Sequence, residues 1–202
     1  MLTRISTAKM DSLKKYIAIS SEEFNHYIKC IDEETIRKAA ELIIAAKRGR
    51  NRLHITAIGK PAHVANYAAS LFSSTGTPAY YLHGTEAVHG SCGQLVEGDV
   101  VICISNSGET EELKSTAIAV RNNGCKIIAV TRNTDSWLGK YADVCLVARV
   151  CREGGELNRA PRASILAEIY ILQCLSVVLQ DDVGITPEQY VKRHPGGALG
   201  KL

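Results

Sequence analysis

The chain has 202 residues, 46% of them hydrophobic and 22% charged, with a formal net charge of +3. That length buries one full core and leaves little room for a second independent domain. Lys and Arg are scattered among acids instead of gathered into runs, so the charge makes no case for nucleic acid. Seven cysteines lie mostly inside apolar runs with no CxxC pair, which reads as reduced core thiols of a cytoplasmic protein.

In chain order, the opening "MLTRISTAKMDSLKKY" is broken by charge and lacks the apolar stretch of a secretory signal. Two helices are predicted before any strand. The second starts at Asp32, because Ile36, Ala39, Ala40 and Ile43 form one apolar stripe. The first strand is read at "LHITAIG" (Leu53 to Gly59), and a helix follows with Val64, Tyr67, Ala68, Leu71 and Phe72 on one face, ending near Ser74 to Pro78. "AYYLH" (Ala79 to His83) and "DVVICIS" (Asp99 to Ser105) supply the next two strands. Leu113, Thr116, Ala117 and Val120 then mark a helix that stops at Asn123-Gly124, where glycine can take the positive φ of a C-cap. "KIIAVT" (Lys126 to Thr131) and "DVCLVA" (Asp143 to Ala148) complete five strands, joined by a connection with room for only a short helix.

These five runs are β-branched and apolar without strict alternation, as expected of parallel strands buried on both faces. Their alternation with helices predicts an α/β fold with a mostly parallel sheet. Residues 149–164 form a loop rich in Gly, Pro, Arg and Glu, and long loops in compact domains are often functional. The helix after it, "ASILAEIYILQCLSVVL" (Ala163 to Leu179), contains Glu168 and Gln173 and falls short of the ~20 apolar residues that span a bilayer, so no membrane is expected. It is apolar nearly all round, which places it in the core or against another subunit. The whole reads as one domain: a helical segment over 1–50, an α/β core over 51–182 and a C-terminal segment over 183–202.

"ISNSGET" (Ile104 to Thr110) sits where the third strand meets a helix, the place where open parallel sheets bind ligands. Gly108 lets backbone approach a ligand, and Ser105, Ser107 and Thr110 add hydroxyls to the helix's unsatisfied N–H groups. A phosphate cradle and an ordinary helix cap both remain open readings. In "AIGKPAH", Gly59 makes the turn and Lys60 opens the next helix; a cation there opposes the helix dipole unless an anion is present. The GxxxxGK[ST] spacing of a P-loop is absent. "LHGTEAVHGSCG" holds His83, Glu86, His89 and Cys92, but in no recognised zinc spacing, so no metal is expected. His89 is a candidate acid or base, or a histidine that merely bonds backbone. In the closing "KRHPGGALGKL", His194 is a second candidate for proton transfer, against the plain reading of a frayed tail.

Together "GKPAH", "STGTPAYY", "EAVHG", "ISNSGET" and "HPGGALG" resemble, in order, the sugar isomerase (SIS) domain family, most of all its arabinose-5-phosphate isomerase group. The resemblance covers the chain from about Gly59 to Leu202. It implies a flavodoxin-like, doubly wound, five-stranded parallel sheet with N-terminal helices. It implies an aldose-ketose isomerase of a sugar phosphate, such as arabinose 5-phosphate and ribulose 5-phosphate, working through a cis-enediol with no metal or other cofactor. Position by position, it assigns Gly59, Lys60, Ser74, Ser105, Asn106, Ser107, Gly108, Glu109 and Thr110 to substrate binding. It assigns His89, His194, Glu112 and Glu153 to catalysis, with the two histidines as the acid/base pair. It further implies a homo-oligomer, a tetramer, in which the C-terminal histidine enters a neighbour's cleft, and a stand-alone SIS domain without the CBS pair that many members carry. The chain departs from that group at "GKPAH", "HGSCG" and "NRAPRAS", where the group reads "GKSGH", "HGDLG" and an "LAPTTSTT"-like run. Arg159 and Arg162 are gained there, either to read a second anion or as solvated loop residues. The rival function is a non-catalytic phosphosugar sensor, although no DNA-reading segment is evident before Arg50.

Overall fold

The computed structural model describes residues 7–196; residues 197–202, which hold much of "HPGGALGKL", lie outside the described residues. Five strands, β1 (Leu53–Ala57), β2 (Ala79–Tyr81), β3 (Val100–Ile104), β4 (Lys126–Thr131) and β5 (Val144–Val147), form one sheet in the order β2-β1-β3-β4-β5. Every pairing is parallel, with Ile55 opposite Ile102 and Ile102 opposite Ile128 along the centre. The order reverses between β1 and β3, which makes the crevice above their carboxyl ends the switch point.

All residues of β1 and β3 are buried, because helices cover both faces. Alternate side chains serve alternate faces. Ile55, Ala57, Ile102 and Ile104 pack under α1 (Thr7–Lys29), α2 (Glu33–Arg48), α3 (Lys60–Ser74) and α6 (Ala163–Val183). Val101, Cys103, Ile127 and Ala129 pack under α4 (Glu111–Asn122) and α5 (Trp137–Tyr141). Asp32 starts α2 as expected, its carboxylate accepting from the Glu34 N–H. The central helix α6 is long and apolar enough to cross a bilayer, but half of that stretch is buried in this fold, against α3, α2 and α1.

The opposite, amino-terminal edge of the sheet is closed by a buried polar knot. The Asp99 carboxylate accepts from Arg52 N–H (2.7 Å), Val96 N–H (3.0 Å) and His54 Nε2–H (3.1 Å). Burial lowers the His54 pKa even though Asp99 opposes the shift. At this same edge α3 ends and α7 (Pro187–Arg193) docks: a Cβ on Gly76 would lie 2.8 Å from Val183 Cγ1 and 2.9 Å from an Arg193 guanidinium nitrogen. One cysteine expectation needs correction. Cys92, Cys103 and Cys125 are buried and Cys145 and Cys174 partly so, but Cys30 and Cys151 are exposed thiols.

Candidate active site

The loop after β3 is organised by its own hydroxyls. Ser105 Oγ, almost fully buried, accepts from Gly108 N–H (3.1 Å) and lies 3.1 Å from Thr110 Oγ1. Ser107 Oγ accepts from Glu109 N–H (3.2 Å) and is exposed. Thr110 occupies the N-cap of α4, yet makes no side-chain cap bond because its hydroxyl is turned to Ser105. In α2, α5 and α7 the cap residues Asp32, Ser136 and Thr186 do accept a backbone N–H. The capping reading therefore fails at α4, whose first-turn N–H groups are left without a side-chain partner. The same holds at α3, whose N-cap Gly59 makes no cap bond and has open space where a Cβ would be. Two helix N-termini without a side-chain cap thus flank the switch point, each with its positive dipole end; in α3 Pro61 has no N–H and Ala62 N–H is bonded to Gly59 O (3.1 Å), so backbone donors come mainly from α4.

Gly108 holds this geometry. It has φ +70°, and an added Cβ would overlap Ser136 Oγ and come within 2.9 Å of Thr131 Oγ1. Its carbonyl accepts from Leu138 N–H (3.0 Å), so the loop is tied to α5. Glu109 serves the same tie: its carboxylate accepts from Trp137 N–H (2.7 Å) and pairs with Lys114 (2.9 Å). The lysine and the backbone bond lower its pKa. Its charge is directed at α5, away from the crevice. Asn106 lies beneath the loop with its Oδ1 buried and unpartnered.

The remaining expected residues divide between the two edges of the sheet. Lys60 is exposed at the start of α3 and has no ion-pair partner among the described residues. Glu112 is exposed in the first turn of α4. His89 is exposed at the end of a short 3-10 turn (Glu86–His89) on the α4 side. Thr116 Oγ1 of α4 donates to Gly84 O (2.6 Å) and so pins that turn's approach. Glu153 Oε2 accepts from Arg162 N–H (2.6 Å) and Ser164 N–H (3.1 Å), capping α6 from the long loop. These groups sit on segments that follow the carboxyl ends of the strands. Ser74 lies apart: it ends α3, about 21 Å of helix from Lys60 at 1.5 Å per residue, and donates to Leu71 O (2.9 Å). Within one protomer Ser74 is therefore far from the 105–110 loop. His194 also lies at the amino edge, as C-cap of α7, stacked on Tyr190 with Nδ1 2.8 Å from Tyr190 O. A carbonyl can only accept, so Nδ1 carries the proton and Nε2 keeps its lone pair.

Two cavities open at the carboxyl edge. One of about 360 Å³ is lined by Gly59, His63, Asn66, Tyr81, His83 and Thr85. The His83 Nδ1 accepts from Glu86 N–H (3.3 Å) and lies 3.0 Å from Thr85 Oγ1, which leaves the proton on Nε2 as a donor. Sequence reading weighed His83 only as a metal ligand and gave His63, Asn66 and Tyr81 no role. A three-residue step from Lys60 to His63 to Asn66 on α3 was the available signal. The second cavity, about 200 Å³, is lined by Asn106, Arg132, Arg152, Glu153, Asn158 and Arg159, among others. A larger one of about 430 Å³ lies between α1, α2 and the β5 edge, away from the switch point. Among the described residues no three His, Cys, Asp or Glu side chains are grouped to hold a metal ion.

A family profile described as the SIS domain matches residues 48–176, well over half of the chain. The chain belongs to the SIS domain family. Its SIS core holds Lys60, His89, the 105–110 loop, Glu112 and Glu153, while His194 lies beyond the matched residues. Arabinose 5-phosphate isomerase KdsD of Pseudomonas aeruginosa is 34% identical over 190 residues, which cover 94% of this chain and 57% of that protein. The SIS chain thus spans less than two thirds of the curated relatives it matches. An Escherichia coli CFT073 structure in complex with arabinose 5-phosphate is 29% identical, with a TM-score of 0.83 over 95% of this chain and 100% of that one. A Bacteroides fragilis chain named for a phosphosugar isomerase involved in capsule formation is 34% identical, with a TM-score of 0.81 over 96% of this chain and 100% of that one. The flavodoxin-like strand order implied by the sequence resemblance is the order found in this SIS domain.

Proposed function

We propose that this SIS protein is an aldose-ketose isomerase of sugar phosphates, interconverting arabinose 5-phosphate and ribulose 5-phosphate, and that it works in the cytoplasm as a homotetramer. The observation that carries the reading is the pair of uncapped helix N-termini, α3 and α4, facing one crevice with Lys60 and the Ser105, Ser107 and Thr110 hydroxyls. A phosphate dianion satisfies those donors and removes the conflict between Lys60 and the α3 dipole. The names of the relatives support the same substrate class.

With the phosphate held there, the open-chain sugar extends toward His89, Glu112 and Glu153. A base removes the proton from C2 of the aldose, and the electron pair forms the C1–C2 double bond of a cis-enediol as O1 gains a proton. Return of the proton to C1 and loss of the O2 proton give the ketose, with no net change in oxidation of the whole molecule. His194 Nε2 has the lone pair for the carbon proton, and His89 serves the oxygens. Since the chain's own His194 lies at the opposite edge, the histidine in each site comes from a neighbouring subunit.

The test is incubation of the purified protein with either sugar phosphate in D₂O, without added metal, followed by NMR. Interconversion with deuterium entering the transferred carbon position is expected. Binding of both sugars without any turnover would replace this reading with that of a phosphosugar sensor.

A further inference from the structure

The cavity beside Asn106 is built for charge. Arg132 and Arg159 both line it, and among the described residues neither guanidinium has an ion-pair partner, as is true of most arginines of this chain. Arg152, the third arginine on its wall, is neutralised by Glu22 (2.7 Å) and Glu23 (2.6 Å). Glu153 is the one carboxylate lining it, and its Oε2 is committed to two first-turn N–H groups of α6. Two arginines on the wall of one small polar space supply the charge-assisted, forked donors that an oxyanion takes.

Both arginines are placed by structure. Arg132 N–H donates to Asn106 O (3.1 Å), so Arg132 is joined directly to the phosphate loop. Arg159 follows Asn158, a non-glycine residue at φ +48°, whose Oδ1 accepts from Glu153 N–H (2.7 Å) and whose N–H donates to Gly155 O (2.8 Å). Asn adopts this left-handed conformation readily, and its two bonds fix the loop that carries Arg159. Asn106 also lines the cavity, although its Oδ1 is buried and without a partner.

We infer that this cavity is a second-oxyanion subsite: besides arabinose 5-phosphate, the site takes a sugar phosphate whose carbon chain also carries a carboxylate or a second phosphate, held by Arg132 and Arg159 while the first phosphate occupies the α4 N-terminus. This rests on the sugar-phosphate isomerase reading and extends its substrate class beyond the pentose monophosphates. The closing experiment is calorimetric titration at fixed ionic strength with ribulose 5-phosphate, ribulose 1,5-bisphosphate and 6-phosphogluconate. It uses the full chain and its Arg132→Gln and Arg159→Gln variants. At least one doubly anionic probe should bind about tenfold or more tightly than ribulose 5-phosphate, and each variant should cut that ratio several-fold, a charge-assisted pair being lost. The bisphosphate and the phosphoaldonate arms tell a second phosphate from a carboxylate. A ratio near one, or a ratio unchanged in both variants, overturns the inference; if ribulose 5-phosphate nevertheless turns over, the isomerase reading survives it. If no probe binds, both fall together. Both side chains are exposed, so melting temperatures near wild type confirm that the variants are folded.

Discussion

Gly108 is the residue on which the anion crevice depends most. Its φ of +70° costs a side-chain-bearing residue about 1–2 kcal/mol, and the space for a Cβ is already filled by Ser136. Gly108→Ala should therefore lower the melting temperature by about 4–8 °C for a loss near 2 kcal/mol. It should also abolish saturable binding of ribulose 5-phosphate, read by calorimetry; unchanged binding would remove the loop from the site. The glycine itself was legible in "ISNSGET", but its partner was not, because Ser136 belongs to a different loop and only the tertiary fold brings the two together. Ser74 was legible as a hydroxyl near a motif, but not its edge: helix length carries it to the amino edge, the edge of His194. His194 is the residue whose chemistry is best defined, with Nδ1 committed and Nε2 free. His194→Gln should reduce kcat by about 10²–10⁴ with a much smaller change in KM, as loss of a general base does. Equal loss in KM alone would make it a binding residue.

At the scale of elements, α6 was the helix most readily found and least well understood from sequence. Its apolar run gave its position, while Glu168 stood out only as a polar interruption. In the fold Glu168 is fully buried, and neither carboxylate oxygen has a partner; the hydroxyls of Ser164, one turn earlier, and of Tyr27 are also buried and unpartnered. Burial, reinforced by the charge of Glu153, pushes the Glu168 carboxyl from 4.5 up to about 8. Nothing in spacing announces this, since it depends on which turn of α6 faces α1. The folded state holds this proton more tightly than the unfolded chain, so Glu168 contributes stability that is full below about 4.5 and lost as pH rises through about 8. The melting temperature of Glu168→Leu minus that of wild type should grow between pH 5 and pH 9. Taking the difference cancels the opposite trend of His54, whose lowered pKa makes the wild type gain stability as pH rises through its range. A pH-independent difference would mean that Glu168 is ionised or hydrated in the fold.

For the whole molecule, the separation of the two edges sets the problem. The loop after β3 lies at the carboxyl edge and His194 at the amino edge, where α7 docks beside Gly76 and Val183. No adjustment of a side chain spans that distance, so a site that uses both must be shared between subunits. Exposed apolar side chains also stand at helical spacing on α1, at Met10, Leu13 and Ile17, and on α6, at Leu166, Val177 and Val178. The sequence resemblance implies a shared site; the fold supports it by setting the loop after β3 and His194 at opposite edges. Complementation decides it. Lys60→Ala and His194→Gln should each be nearly inactive alone, since each removes one half of every site. Co-expressed or denatured and refolded together in equal amounts, they should regain up to about one quarter of wild-type activity, because in a random symmetric assembly about one site in four pairs an intact Lys60 with an intact neighbouring His194. If both residues serve the same chain, every site in every mixture carries one lesion, and mixing the two variants restores nothing.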